Sequence, residues 1–357
     1  MSEGQDGSHD ATASQSKNLG TPAFGDFSHS DTDVVNLEQS FASALEIMKT
    51  QAVSFYQAFK GLPKERFMAV TAVYAFCRYA DDVVDEGGSS ALPQLDDLER
   101  SIRALFEDGT GPTGDVHSTF APTLPWWPAF TASVHRYGVQ ERGLLMQIQG
   151  QRRDADFHDI ESTDDLIEYA RLVAGSVGRI LVPILVRDRA MIENEDFMQA
   201  CEKLGIAMQI TNILRDVGED IRERDRVYIP RDLLKSHGIS REALQGLAHA
   251  DAASCKERTE PWQDDAPSIP RNFIVLWEQL ATLADSLYLP YQQYLDQFHA
   301  SARIPLITAA KLYQAIEQAV RDHGHDCFTR RCYTSKATRI RIVTEIQLRE
   351  KAPWKIS

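Results

Sequence analysis

The stretch 74–86, YAFCRYADDVVDE, follows an apolar and aromatic run with four carboxylates, Asp81, Asp82, Asp85 and Glu86, inside two helical turns. Like charges at i,i+4 cost an isolated helix about 0.2–0.5 kcal/mol, and the cost rises when they leave water for a cavity. Thr71, Tyr74, Arg78, Asp81 and Asp85 are spaced by threes and fours, so a helix sets them on one face. Acids at the end of a helix also oppose its macrodipole. A solvated helix end is the bland explanation. A cationic partner across a cavity is the alternative, and a second segment favours it.

That segment is 209–220, QITNILRDVGED. Gln209, Asn212, Asp216 and Asp220 form a narrow oxygen-rich stripe, while Ile210, Ile213, Leu214, Val217 and Ile221 fill the apolar side. A surface helix would carry mixed Lys and Glu there. An amide in line with two carboxylates is instead a donor set for a hard cation, and Mg2+ takes oxygen ligands that it shares with water and phosphate. Two such helices facing each other would hold metal ions and a phosphorylated substrate between them. No HExxH, CxxC or GxxxxGK[ST] directs the reading to zinc chemistry or a nucleotide P-loop. VAGSVG at 173–178 lies in an apolar helical run without a preceding strand, so its glycines read as close packing or room for a ligand.

Around these segments the chain reads as helical throughout, with helices expected near 37–60, 65–86, 94–107, 128–137, 140–153, 163–187, 193–223, 270–298, 303–322 and 333–349. GLPKE at 61–65 and STDD at 162–165 carry helix-start signals. Residues 1–36 read as a disordered acidic and polar tail, and 37–357 as one all-α domain large enough for a substantial core at 43% hydrophobic residues. A net charge of −14 argues against sequence-independent nucleic-acid binding. Five scattered cysteines and no apolar leader fit a reducing, cytoplasmic setting. The most apolar run, SVGRILVPILV, is interrupted by Arg179 and Pro183 and is not expected to span a bilayer. Trp126 and Trp127, between prolines, read as loop packing, and His158, His323 and His325 as surface residues.

The pair YAFCRYADDVVDE and NILRDVGED, the latter followed by RVYIP at 226–230, resembles the aspartate motifs of the squalene/phytoene synthase family, most of all bacterial dehydrosqualene and phytoene synthases, over roughly residues 40–350. The resemblance implies an all-α isoprenoid synthase fold around a central cavity. It also implies Mg2+-dependent head-to-head condensation of two prenyl diphosphates through a cyclopropylcarbinyl diphosphate. By this likeness Asp81 and Asp85 are the first metal motif, and Asn212, Asp216 and Asp220 the second. Arg78, Arg215 and Arg226 are diphosphate-side cations with Tyr228 beside them. Tyr169, Val173, Ala174, Gln209 and Tyr313 line the prenyl channels, and Ser54 and Phe55 match the family's Ser-Phe near the first helix. Ala52 and Val53 depart from the small polar and basic residues that often precede it. Phe55, Phe59, Tyr74 and Tyr169 offer faces to a carbocation, each weighed against a plain core role.

Three readings of the reaction stay open. Dehydrosqualene or phytoene formation loses a proton and needs no NADPH, squalene synthesis uses it, and a non-catalytic assembly protein would share the fold. A class I terpene cyclase is disfavoured because no hydroxyl residue and glutamate follow Asn212 at the spacing that family uses. Donor length is also open: a small Thr71 on the cavity face leaves room for a twenty-carbon donor, while Phe59 narrows the other side and favours farnesyl diphosphate, to which the overall likeness leans. Arg215 has a structural alternative as the partner of Glu219 at i+4. A hydrocarbon product makes peripheral membrane contact and a downstream desaturase the expected associations.

Overall fold

The computed structural model describes residues 31–87, 90–107, 124–250 and 268–351. Among these, helices are joined by short turns, and the sole β pairing is an isolated bridge between Val186 and Phe298. The early helices are α1 (Asp31–Gln51), α2 (Val53–Phe59), α3 (Lys64–Gly87), α4 (Ala91–Glu107), α5 (Trp127–Tyr137) and α6 (Glu141–Ala155). Then come α7 (Thr163–Ala170), a π turn (Arg171–Gly175), α8 (Ser176–Leu185), a 3-10 turn (Arg189–Glu193) and α9 (Glu195–Arg224). The chain continues through α10 (Arg231–Ser236), α11 (Arg241–His249), α12 (Arg271–Leu287), a 3-10 helix (Pro290–Gln297), α13 (Ala300–Asp322) and α14 (Lys336–Lys351).

Two helices organise the rest. In α3 the run from Ala69 to Cys77 is buried except for Tyr74, because small alanines let α1, α5, α6 and α8 approach closely. The 30-residue α9, about 45 Å long at 1.5 Å per residue, packs against α8, α11, α12 and α13. Asn194 caps its start, the side-chain oxygen accepting from the Phe197 N–H at 2.9 Å, and the helix ends where Asp225 turns left-handed at φ 50°. The glycines of VAGSVG serve close packing: a Cβ on Gly178 would stand 2.6 Å from the Cys201 carbonyl oxygen of α9. Arg179, charged within an apolar run, is buried against Glu202 and also reaches Glu195 at 2.9 Å.

Several boundaries differ from expectation. The helix expected over 37–60 begins at Asp31, inside the segment expected to be a disordered tail, and is broken at Ala52, whose φ of −134° and ψ of 60° leave the helical region. The helix expected over 163–187 contains the π turn, and Pro290, which has no N–H to donate, marks where α12 gives way to 3-10 geometry. The short α10 and α11 were not expected; both lie below the length at which periodicity is informative. Trp126 and Trp127 are buried against Phe130 at the start of α5. His325 is not a surface residue: it is half-buried, 2.7 Å from the Glu278 carboxylate and edge-on to Trp277. No helix among the described residues is long and apolar enough to cross a membrane. Residues 1–30 of the expected tail, and Cys255, fall outside the described residues.

Candidate active site

The acidic ends of α3 and α9 open onto one cavity of about 340 Å3. Asp81 and Asp85 come from α3, and Asn212, Asp216 and Asp220 from α9, with Tyr74, Arg78, Tyr169, Val173, Gln209, Arg215, Arg226 and Tyr228 also on its wall. A second, largely apolar chamber of about 780 Å3 continues from it, sharing Tyr74, Arg78, Gln209, Asn212 and Arg215. Phe55, Phe59, Ala174 and Tyr313 line this tunnel, and of the neighbouring residues in the π turn Val173 lines the first chamber and Ala174 the second. Tyr169 and Val173, expected along the prenyl channels, line only the oxygen-rich chamber, and two further assignments stand apart. Thr71 is fully buried, donates its hydroxyl to the Met68 carbonyl at 2.7 Å and lines neither chamber, because the face it was placed on is already covered by packing one turn below Tyr74. Ser54 lies in α2, and its side chain is outside the described residues.

The partners demanded by the α3 carboxylates come from three places, two of them cationic. Arg78 pairs with Asp82 one turn along its own helix and lies 3.6 Å from Asp81. Gln151 of α6 donates to Asp81 at 2.9 Å. Arg224, at the end of α9, reaches Asp85 at 2.9 Å and so ties the two acidic helices together. On α9, Arg215 grips Asp216 with two bonds of 2.7 and 2.5 Å rather than pairing with Glu219, which is taken by Arg331 at 2.7 Å. Enclosure and neighbouring carboxylates push Asp81 up to about 6 and Asp220 up to about 7. Stacked acids within protein walls hold their negative charge poorly until more positive charge arrives.

Asp154, Gln147, Gln151, Arg224 and Arg331 escaped sequence reading. Asp154 is buried on α6 and accepts 3.0 Å bonds from the hydroxyls of Tyr169 and Tyr228, while Arg226 donates to its backbone carbonyl at 2.7 Å. Gln147, Gln151 and Asp154 repeat at four and three, so the signal was a polar stripe on an otherwise ordinary helix. Arg331 lies beyond α13 in an irregular segment that no periodicity could flag. The segment sits on α9 because Gly218 donates its N–H to the Cys327 carbonyl at 2.9 Å, and a Cβ on Gly218 would collide with the Phe328 backbone. GED within the second motif therefore includes a glycine for contact, which is legible only with the partner in view.

A donor set of oxygen atoms from Asp81, Asp85, Asn212, Asp216 and Asp220, with no thiolate or imidazole on the wall other than the inert buried Cys77, fits a hard divalent cation. As placed, no three acidic, His or Cys side chains among the described residues converge on a single point. That suits ions that take one or two protein ligands each and complete their shells from water and phosphate oxygens.

The chain matches the squalene/phytoene synthase family over residues 48–338 and belongs to it. It is 29% identical to 4,4'-diapophytoene synthase of Staphylococcus haemolyticus (strain JCSC1435) over 315 residues, 88% of this chain and 99% of that protein. It is likewise 29% identical to the chloroplastic phytoene synthase 3 of Zea mays over 314 residues, 88% of this chain but 66% of that longer protein. A crystal structure of a dehydrosqualene synthase in complex with a ligand superimposes with a TM-score of 0.71 at 30% identity, over 88% of this chain and 98% of that one. The all-α fold is thus that of the isoprenoid synthases, and the protein is a prenyltransferase of the type that condenses prenyl diphosphates head to head.

Proposed function

We propose that the enzyme joins two molecules of farnesyl diphosphate to dehydrosqualene, with Mg2+ in the oxygen-lined chamber and proton loss, not NADPH reduction, as the last step. The observation that carries the donor length is Phe59. It is almost wholly buried, lines the tunnel, and its ring centre lies 4.5 Å from that of Phe55, so two rings narrow the passage beside Tyr74. The counter-argument from Thr71 falls away because that side chain is not on the tunnel wall. The 4,4'-diapophytoene synthase and the phytoene synthase 3 are equally similar to this chain at 29% identity, so the choice of donor rests on the tunnel wall.

The reaction must break an allylic C–O bond, and the difficulty is charge. Mg2+ held by Asp81, Asp85, Asn212, Asp216 and Asp220 would supply Lewis-acid stabilisation of the departing diphosphate. Arg78, Arg215 and Arg226 supply directed N–H donors to the same oxygens. The apolar tunnel excludes water from the cation, which would otherwise be trapped as an alcohol, and holds two chains carbon to carbon. Tyr74 and Phe55 offer ring faces near the junction of the chambers, each worth about 2 kcal/mol to a desolvated cation. Tyr169 and Tyr228 both donate to Asp154, and burial beside that carboxylate raises both phenols well above their ordinary range. Phenols held as donors are poor final bases, which favours the bound diphosphate over Tyr169 and Tyr228 as the proton acceptor.

The test is incubation of the purified enzyme with farnesyl or geranylgeranyl diphosphate and Mg2+, with and without NADPH, followed by mass analysis of the hydrocarbon. The expected product is dehydrosqualene from the fifteen-carbon donor, formed without NADPH and abolished by EDTA. Squalene formed only with NADPH, or phytoene as the main product, would replace this reading by one of its rivals.

A further inference from the structure

A second cavity of about 780 Å3 lies behind the tunnel, bounded by the 3-10 helix Pro290–Gln297, α13 and α14. Helix α13 is the partition. Leu306, Ala309 and Tyr313 face the tunnel, while Ile307, Lys311 and Gln314 face the other side. Among the described residues the two cavities share one lining residue, Tyr291. It stands well back from the diphosphate chamber. Tyr288, three residues earlier, meets Thr211 on α9 at 3.0 Å, and Tyr294, three later, packs on Phe197 near the far end of α9. The 3-10 helix therefore runs back along α9, away from Asn212 and the metal motifs.

A buried tyrosine is ordinarily a core residue whose hydroxyl has a partner. Tyr291 departs from that on two counts. Its ring is only 2% exposed and packed within the core, yet it borders the tunnel on one side and the second cavity on the other. Burial alone accounts for the rise of its phenol to about 12, with no hydrogen bond contributing. Beyond it, Leu295, Ile307, Ile342 and Ile346 give the second cavity an apolar portion able to receive the end of a hydrocarbon chain, while Lys311, Glu317, Arg321, Glu345 and Arg349 make the rest of its wall polar.

We infer that Tyr291 is a specificity-determining residue: its ring closes the deep wall of the tunnel, and removing it joins the two cavities and admits a donor longer by one five-carbon unit. The inference rests on the reading of the tunnel as a channel for fifteen-carbon donors. It adds a wall distinct from Phe55 and Phe59, formed by the 3-10 helix and not by α2.

The experiment measures two ratios for wild type, Tyr291→Ala and Tyr291→Phe. One is forty-carbon to thirty-carbon hydrocarbon from equimolar geranylgeranyl and farnesyl diphosphates. The other is the affinity ratio for the corresponding non-reacting S-thiolodiphosphates by calorimetry, which is readable whether or not the enzyme turns over. Tyr291→Ala is expected to raise both ratios about tenfold or more, and Tyr291→Phe, which keeps the ring, to leave them within twofold of wild type. Adding Ile307→Trp to Tyr291→Ala, which refills the second cavity, should reverse the gain. Tyr291→Leu replaces the alanine variant if circular dichroism shows that variant unfolded. A folded variant without the ring whose affinity ratio equals that of wild type overturns the inference. A wild type that makes no thirty-carbon product, with the affinity ratio still responding to Tyr291, overturns the proposed reaction instead.

Discussion

The acidic faces of α3 and α9 look alike as sequence and are built differently. On α3 the carboxylates sit at the open end of the helix: 48% of the Asp81 side chain is accessible within the cavity, against 13% for Asp216 on α9. The α3 acids are neutralised by Arg78 on their own helix and Arg224 from the side, and Gln151 donates a hydrogen bond to Asp81. The α9 acids lie in the C-terminal third of their helix beneath the segment that follows α13, and Arg331 on that segment closes over Asp216 and Glu219. Both sites draw on distant parts of the chain, but the rim acids are met from the sides by Gln151 and Arg224, whereas the α9 acids are covered from above by the segment that carries Arg331. The two motifs should then respond differently to damage.

The largest effect is expected on turnover. Asp85→Ala and Asp216→Ala should each lower kcat by about a hundredfold to a thousandfold, the cost of removing a preorganised group from a charge-stabilising site, with helical content nearly unchanged. They should part in stability. Asp85→Ala frees Arg224, which keeps Asp220 at 3.6 Å and water. Asp216→Ala leaves Arg215, whose side chain is only 13% accessible, without its bidentate partner. Truncating one member of such a pair is destabilising by several kcal/mol when fully buried and less here. Urea unfolding should therefore show Asp216→Ala as the weaker fold; equal midpoints would remove the distinction between rim and roof.

Next comes the roof itself. Gly218→Ala puts a methyl group into the Phe328 backbone, which no rotamer change relieves, and the N–H bond from residue 218 to Cys327 must lengthen. Overpacking of this kind costs about 1–3 kcal/mol and occasionally more. Activity should fall with stability, because the displaced segment carries Arg331 away from Asp216. Gly87→Ala on the rim helix, where an added Cβ would stand 3.3 Å from the end of the Ala91 side chain, should cost far less. A Gly218→Ala enzyme with wild-type melting and turnover would show that the segment does not secure the second motif.

This contrast also marks what the sequence reveals. The two acidic faces, their helices and the family were legible because period and residue type are local properties. Arg224, Arg331 and Asp154 were not, since each acts across a gap that only packing closes. The misplacement of Thr71 has the same origin: spacing assigns a face but not how far the cavity extends along it. Asp154 is the instructive intermediate, for its stripe with Gln147 and Gln151 was present at helical spacing, but a polar stripe on one helix does not say what lies opposite.

The smallest expected effect concerns the backs of the two helices. Behind the α3 acids lie apolar side chains such as Phe76 and Ala80, both fully buried. Behind Asn212 lies a polar contact: Thr211 donates to Glu317 of α13 at 2.8 Å and also meets the Tyr288 hydroxyl. Glu317 is 1% exposed and its second carboxylate oxygen lacks a hydrogen bond, with Arg321 at 3.7 Å. Burial, opposed by the Thr211 bond and Arg321 and aided by Asp285 and Glu278, pushes Glu317 up to about 7. A carboxyl whose folded pKa is raised binds more protons folded than unfolded. Its contribution to stability is thus complete below its ordinary value of 4.5 and is lost as pH rises through about 7. Glu317→Gln keeps an acceptor for Thr211 and cannot ionise, and Arg321 retains Glu278 at 2.9 Å. The variant should match wild type at pH 4.5 and exceed it by about 1–3 kcal/mol at pH 8. Urea unfolding at the two pH values checks this, and a difference that fails to grow with pH would mean that water reaches Glu317 and the back of the second motif is no less solvated than its front.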